Sequence, residues 1–342
     1  AHQASRRFLL RDVFLFSFHA VGPIVLILAL GYFVRRVGPW KDDFYDALNK
    51  LCFHVFLPIQ LFLSSYNIES IRSLNMRAIT YIVCSIPAAI ALGILVASLI
   101  TKDAGKRAAL VQACYRSNLA TLGLPIAAAL GGAEAEGFAS LMTGICVPLF
   151  NAFAVVILCC YNSGSGKLSL KDLGKRILTN PLIIGTTLGL LFPIFRGLLP
   201  VVDGVPVFTI KNQLPVLYSA LTSVSRIASP LLLFLLGSAL DLSAVRSLLP
   251  YITVGLLLRL IVCPILVIGT ALLLRGPLQL TSIELCGIVA FTASPVATSS
   301  VLMVQELGGD EQLSAQLVVW SSVFSMLTVF LITFVLRYFQ FL

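Results

Sequence analysis

Charge is scarce in this chain, and the scarcity excludes a soluble domain at once. Of 342 residues, 11% are charged and only three are His, whereas 58% are hydrophobic. The mean hydropathy is +0.98. So apolar a composition belongs to an integral membrane protein. Signatures of common catalytic sites are also missing: there is no HExxH, no GxGD pair and no GxSxG elbow. The Gly164-Ser165-Gly166-Lys167 stretch lacks the earlier glycine and the following helix start that a phosphate loop needs. The sequence therefore predicts neither an enzyme nor an ATP-driven machine, with no cofactor and no resident metal.

Clustered charge and paired cysteine are missing too. The formal net charge is +9, but Lys and Arg are scattered along the joints between apolar runs rather than gathered in a stripe. That pattern argues against nucleic acid as a partner and for topology signals and contact with lipid headgroups. Eight cysteines fall within apolar runs, without metal-type spacing and with none in a polar loop. They read as packing residues.

What the chain does contain is a succession of apolar runs. Ten spans are expected, at about 13–35, 44–65, 77–100, 106–130, 136–161, 177–196, 212–240, 248–274, 281–305 and 312–337. The run after Asp12 is too long for a signal-peptide core. The longest polar joint, Asn162 to Arg176, splits the chain into a first five-helix unit (1–161), a linker (162–176) and a second five-helix unit (177–342). An odd number of spans per half makes the second half enter from the opposite side, so the two units are expected to be inverted repeats. Local sequence agrees. Pro58-Ile59-Gln60-Leu61-Phe62-Leu63 matches Pro230-Leu231-Leu232-Leu233-Phe234-Leu235 172 positions later, and the landmarks Pro125 and Pro295 are 170 apart.

Basic short loops favour the cytoplasm. The 162–176 joint, Arg35-Arg36 with Lys41, and Lys102 with Lys106-Arg107 fall on one side of a ten-span chain, which places both termini outside. Arg6, Arg7 and Arg11 pull the other way. The expected location is a cell membrane, crossed many times, such as a bacterial inner membrane or its equivalent.

Two spans are broken at their middles, by Arg116-Ser117-Asn118-Leu119-Ala120-Thr121-Leu122-Gly123-Leu124-Pro125 and by Phe291-Thr292-Ala293-Ser294-Pro295-Val296-Ala297-Thr298. Lipid cannot satisfy polar backbone, so an interruption at mid-depth is tolerated only where it lines a protein cavity. Paired breaks in two repeats mark the solute site of many secondary transporters. Ser294-Pro295 has the form of a capped helix start, and Pro125 that of a second one. Helix starts that converge on the midplane favour an anion. Arg116 offers a planar guanidinium that suits a carboxylate. Asn118, Thr121, Thr292, Ser294 and Thr298 add uncharged polar groups that either meet the solute or repair backbone freed by proline. Among other ionisable groups, Arg226 is the second candidate, four residues before Pro230. Lys50, Arg259, Glu284, His19 and His54 read as structural.

These motifs resemble the auxin efflux carrier family, particularly its bacterial members. The resemblance rests on Asn118 with Gly123 and Pro125, and on Ser294-Pro295-Val296-Ala297-Thr298-Ser299-Ser300-Val301-Leu302 followed by Gly308-Gly309-Asp310. It implies an all-α membrane protein of ten helices, two inverted five-helix repeats with crossing, broken helices 4 and 9, similar in fold to bile acid sodium symporters. It also implies a fixed scaffold of spans 1, 2, 6 and 7, a moving remainder, and a small organic anion, auxin-like or dicarboxylate, bound beside the crossing. Asn151 on the fifth span is expected to face the same site. The large cytoplasmic loop of long plant members is absent here. A sodium-coupled symporter of the bile acid type and a non-transporting membrane receptor stay open as alternatives, as do the coupling ion and a homodimer.

Overall fold

The computed structural model describes residues 22–67, 75–162, 170–198, 201–202, 205–206 and 209–342. Most are helical, because a run of apolar residues in lipid must satisfy its backbone polar groups internally. Helix α1 covers 22–37. Next come α2 (Asp42–Leu51) and α3 (Leu57–Tyr66), joined through a π-helical turn at Cys52–Phe56. They lead to α4 (Met76–Ile100), α5 (Ala104–Tyr115), a second π turn at Leu119–Gly123, and α6 (Leu124–Asn162). After α7 (Leu170–Leu178) and α8 (Pro181–Leu198), a short ladder pairs Val201–Val202 with Val205–Pro206. The chain continues through α9 (Ile210–Gln213), α10 (Pro215–Ala239) and α11 (Val245–Leu257). A third π turn, Leu258–Val262, leads into α12 (Cys263–Leu273). Then follow α13 (Arg275–Leu278), α14 (Ser282–Ala293), α15 (Ser299–Leu307) and α16 (Glu311–Tyr338).

Among the described residues, six stretches are long and apolar enough to cross a bilayer: Asp42–Tyr66, Met76–Ile100, Leu119–Asn162, Pro215–Ala239, Val245–Leu273 and Glu311–Tyr338. Shorter apolar helices occupy Pro181–Pro193 and Ser282–Ala293. The protein is a multi-pass membrane protein.

The boundary between spans four and five falls close to where it was expected: the Leu124–Asn162 stretch is two helices that meet at Gly131-Gly132, both non-helical, with Gly132 at φ 69°, a conformation that costs glycine alone little. Other boundaries differ from those expected, each for a local reason. The sixth span begins at Pro181 rather than 177. Asn180 Oδ1 accepts the Leu182 N–H at 3.0 Å and caps it, while the basic segment before it forms the separate helix α7. Residues 13–21 of the expected first span, with His19, and 163–169 of the linker lie outside the described residues. Gly308 and Gly309 form a left-handed turn, and Asp310 caps α16 through Leu313 N–H at 2.8 Å, so that aspartate is structural. Glu284 completes a capping box with Thr281 at the start of α14. Lys50 is exposed, and His54 Nδ1 meets the Lys50 carbonyl at 2.9 Å. All eight cysteines are free and six are buried, which fits packing roles.

Close helix contacts explain the proline-motif repeat. Helix α3 packs on α8 and α10, whereas α14 packs on α6 and α12, and α5 on α4, α6 and α16. A Cβ on Gly31 of α1 would fall 2.0 Å from the Phe234 carbonyl oxygen, and one on Gly189 of α8 would fall 2.3 Å from that of Phe62. Phe62 and Phe234 occupy the same place in the two Pro-x-x-Leu-Phe-Leu motifs. Each copy of the motif therefore presents its backbone to a glycine on a helix from the other half of the chain.

Candidate functional site

Helices α5 and α14 stop at Tyr115 and Ala293, and the segments that follow pair with each other. Ser117 and Val296 form an isolated antiparallel bridge. Asn118 N–H donates to the Pro295 carbonyl, and Ala297 N–H donates to the Arg116 carbonyl, both at 2.9 Å. Ser117 Oγ donates to the Phe291 carbonyl at 2.6 Å, while Val296 N–H donates to Ser321 Oγ at 3.0 Å. Backbone polarity released at one break is thus satisfied by the other. Gly123 permits the close approach: a Cβ there would lie 3.1 Å from Ser294 Oγ and 3.3 Å from the Ala290 carbonyl oxygen.

This pairing corrects both expected helix starts. Ser294 is the C-cap of α14, with its hydroxyl turned back to the Ala290 carbonyl. Pro295 lies in the bridge, and α15 begins only at Ser299, with Thr298 as its N-cap residue and no side-chain cap. In the first half the helical turn begins at Leu119, because the Asn118 carbonyl already accepts Leu122 N–H at 3.0 Å. Pro125 is the second residue of α6, six positions downstream. The two helix starts therefore lie at Leu119 and Ser299, each just after the Ser117–Val296 bridge.

Arg116 is the centre of the polar cluster. Its side chain is 1% exposed. Nη1 donates to Gln112 Oε1 at 3.0 Å, and Nη2 donates to Asn151 Oδ1 at 3.0 Å and to Ser299 Oγ at 2.9 Å. These neutral acceptors fix the amide orientations, so Gln112 Nε2 and Asn151 Nδ2 are left as donors. Both are buried without a partner, as are Asn118 Nδ2 and Arg116 Nε. Among the described residues no carboxylate lies within ion-pair distance of Arg116. A buried guanidinium with several unpaired donors around it is a site short of acceptors and of negative charge.

A cavity of about 50 Å³ opens beside this cluster. It is lined by Arg116, Asn118, Thr121, Asn151, Thr298 and Ser299 from the crossing side, and by Leu57, Gln60 and Leu61 of α3 and Ser229 and Leu232 of α10 opposite. Gln60 Nε2 donates to Ser229 Oγ at 2.7 Å and ties the two wall helices together. Five expected site residues therefore meet at one cavity: Arg116, Asn118, Thr121, Asn151 and Thr298. Thr292 is buried, but its hydroxyl donates to the Ile288 carbonyl at 2.9 Å and repairs its own helix. Ser294 and Pro295 support the crossing from behind. Pro125 and Arg226 are exposed and do not line the cavity. Two larger grooves, of about 500 and 440 Å³, run between α16 and the α11 to α12 stretch, are lined mainly by apolar side chains and suit lipid tails.

Sequence reasoning missed Gln112, which precedes the break and orients Arg116. Arg259, read as structural, is 2% exposed in the π turn before α12 and donates to backbone carbonyls at the crossing, in keeping with that reading.

Comparison with known proteins assigns the chain. The family described as membrane transport protein matches residues 16–171 and 166–333, and the chain belongs to that family, which is the auxin efflux carrier family of the resemblance above. A protein of Methanocaldococcus jannaschii described as an uncharacterised transporter is 25% identical over 315 residues, which cover 90% of this chain and 94% of that one.

Proposed function

We propose that this member of the membrane transport protein family carries a small organic anion, an auxin-like or dicarboxylate carboxylate, which binds between the helix crossing and the wall formed by α3 and α10 when the two move apart, since the cavity of about 50 Å³ between them has room for little more than water. One observation carries the reading: Arg116, a buried guanidinium without a carboxylate, lines the cavity together with Asn118 and Asn151, whose amide nitrogens are buried without an acceptor. Such a set lacks an acceptor, and a carboxylate supplies two oxygens and a charge. A cation would add to the unpaired positive charge instead.

The reading includes ten membrane passages as two inverted repeats. Its support is the reciprocal fit of Gly31 to Phe234 and Gly189 to Phe62, which relates α1 and α10 of one contact to α8 and α3 of the other. Transport then proceeds as an elevator: the bridged pair of broken helices moves as one body with its anion, past a wall held together by Gln60 and Ser229. The cell membrane is the site of action.

A stability screen of the purified protein tests the anion. Carboxylates should raise its unfolding temperature in proportion to occupancy, because a ligand that binds only the folded state stabilises it. Amines and neutral isosteres should not. Stabilisation by amines alone would overturn the proposal.

A further inference from the structure

The second buried arginine does a different job from the first. Arg259 Nε and Nη2 donate to the Ser294 carbonyl at 2.9 and 2.7 Å, Nη2 donates to the Phe291 carbonyl at 3.1 Å, and Nη1 donates to the Cys114 carbonyl at 3.3 Å. These three oxygens come from the C-terminal ends of both broken helices, where orphan carbonyls and about half a negative charge accumulate. Converging carbonyl oxygens at an unwound helix are the means by which discontinuous-helix transporters hold a small monovalent cation. Here a guanidinium fills that cradle, tethered to the neighbouring π turn at Leu258–Val262.

We propose that Arg259 is a built-in cation: its guanidinium replaces a free monovalent ion in the carbonyl cradle of the crossing, so that neither stability nor anion binding depends on sodium. Several points make the cradle a site rather than a chance contact. All four donor contacts go to backbone carbonyls of the two breaks, and among the described residues no carboxylate stands within ion-pair distance of Arg259. The charge is balanced by helix ends alone. Arg116 faces the solute cavity, whereas Arg259 does not line it. One buried cation is therefore left for the solute, and the other neutralises the scaffold on which the solute site is built. The stability arm below stands without the anion reading, and only the binding arm rests on it.

Shortening Arg259 should turn the internal cation into an external one. In nanodiscs, Arg259→Ala is expected to unfold below wild type and to regain most of that loss in millimolar guanidinium chloride, with choline chloride as the matched control. Wild type should respond to neither salt. Arg259→Met, which fills the space without charge, should not be rescued, and Arg259→Lys should unfold above Arg259→Met; this pair decides the matter if the alanine protein does not fold. Carboxylate-induced stabilisation of wild type should be the same in sodium and in choline. The proposal is overturned if guanidinium fails to restore folded Arg259→Ala, if Arg259→Met is as stable as Arg259→Lys, or if the wild-type carboxylate response requires sodium. Loss of the carboxylate response in every salt, with guanidinium rescue intact, would count against the anion reading and leave the built-in cation standing.

Discussion

Ser117 and Val296, 179 positions apart in the chain, pair backbone to backbone at the point where two helices break. The pair makes the crossing a single unit. Each break supplies the partner that the other lacks, so neither helix can move far alone without exposing unpaired N–H and C=O groups.

That coupling predicts a steric consequence at Gly123. A valine there would meet Leu119 Cδ1 of its own segment first, a flexible side-chain end, and would also press on Ser294 Oγ and the Ala290 carbonyl of the opposing helix. Gly123→Val should destabilise the protein by about 1–3 kcal/mol through overpacking. Thermal unfolding in nanodiscs measures it, and an unchanged midpoint would mean that the two helices are free to separate.

Asn118 predicts opposite signs for stability and transport. Its Nδ2 is buried without a partner, and an unpaired donor costs roughly 1–3 kcal/mol. Asn118→Ala should therefore fold at least as well as wild type while losing transport of the anion by about tenfold or more. Uptake by reconstituted vesicles, read beside an unfolding curve, separates the two. Wild-type uptake would reduce Asn118 to a backbone repair group.

The division between crossing and wall predicts a trap. Leu61 of α3 and Ala120 of the broken segment line the same cavity from opposite sides. In a background without native cysteines, a covalent link between cysteines placed at these two positions should preserve anion binding and stop turnover. Full transport by protein shown to be completely linked would exclude sliding of one bundle past the other and favour local gating.

The sequence made the breaks legible because polar residues and proline stand out in apolar spans, and lipid penalises both. Asn118, Thr121 and Thr298, which line the cavity at the crossing, stood out for that reason, whereas Asn151, which lines it too, was expected only from the family resemblance. The position of the helix starts was not legible. Ser294-Pro295 satisfies every local rule for an N-terminus, yet the bridge to Ser117 holds it extended, and a contact between residues so far apart leaves no trace in local spacing. Arg259 was legible as structural, but its partners were not: the chemistry of a lone arginine in a span depends on what it faces, and here it faces carbonyls contributed by two other helices. Arg226 shows the converse, since its place before Pro230 suggested a role that its exposed position on α10 does not support.

The proposed anion site depends on Arg116 as the charge that holds the carboxylate. Isothermal titration of a stabilising carboxylate into wild type, Arg116→Lys and Arg116→Gln at one ionic strength tests it most directly. A charge-assisted contact is worth roughly 1.5–3 kcal/mol, so Arg116→Gln should bind between about ten- and a hundredfold more weakly. Arg116→Lys should fall between the two, because it keeps the charge and loses the planar fork. Equal affinity in all three proteins would contradict the account and remove Arg116 from the binding site.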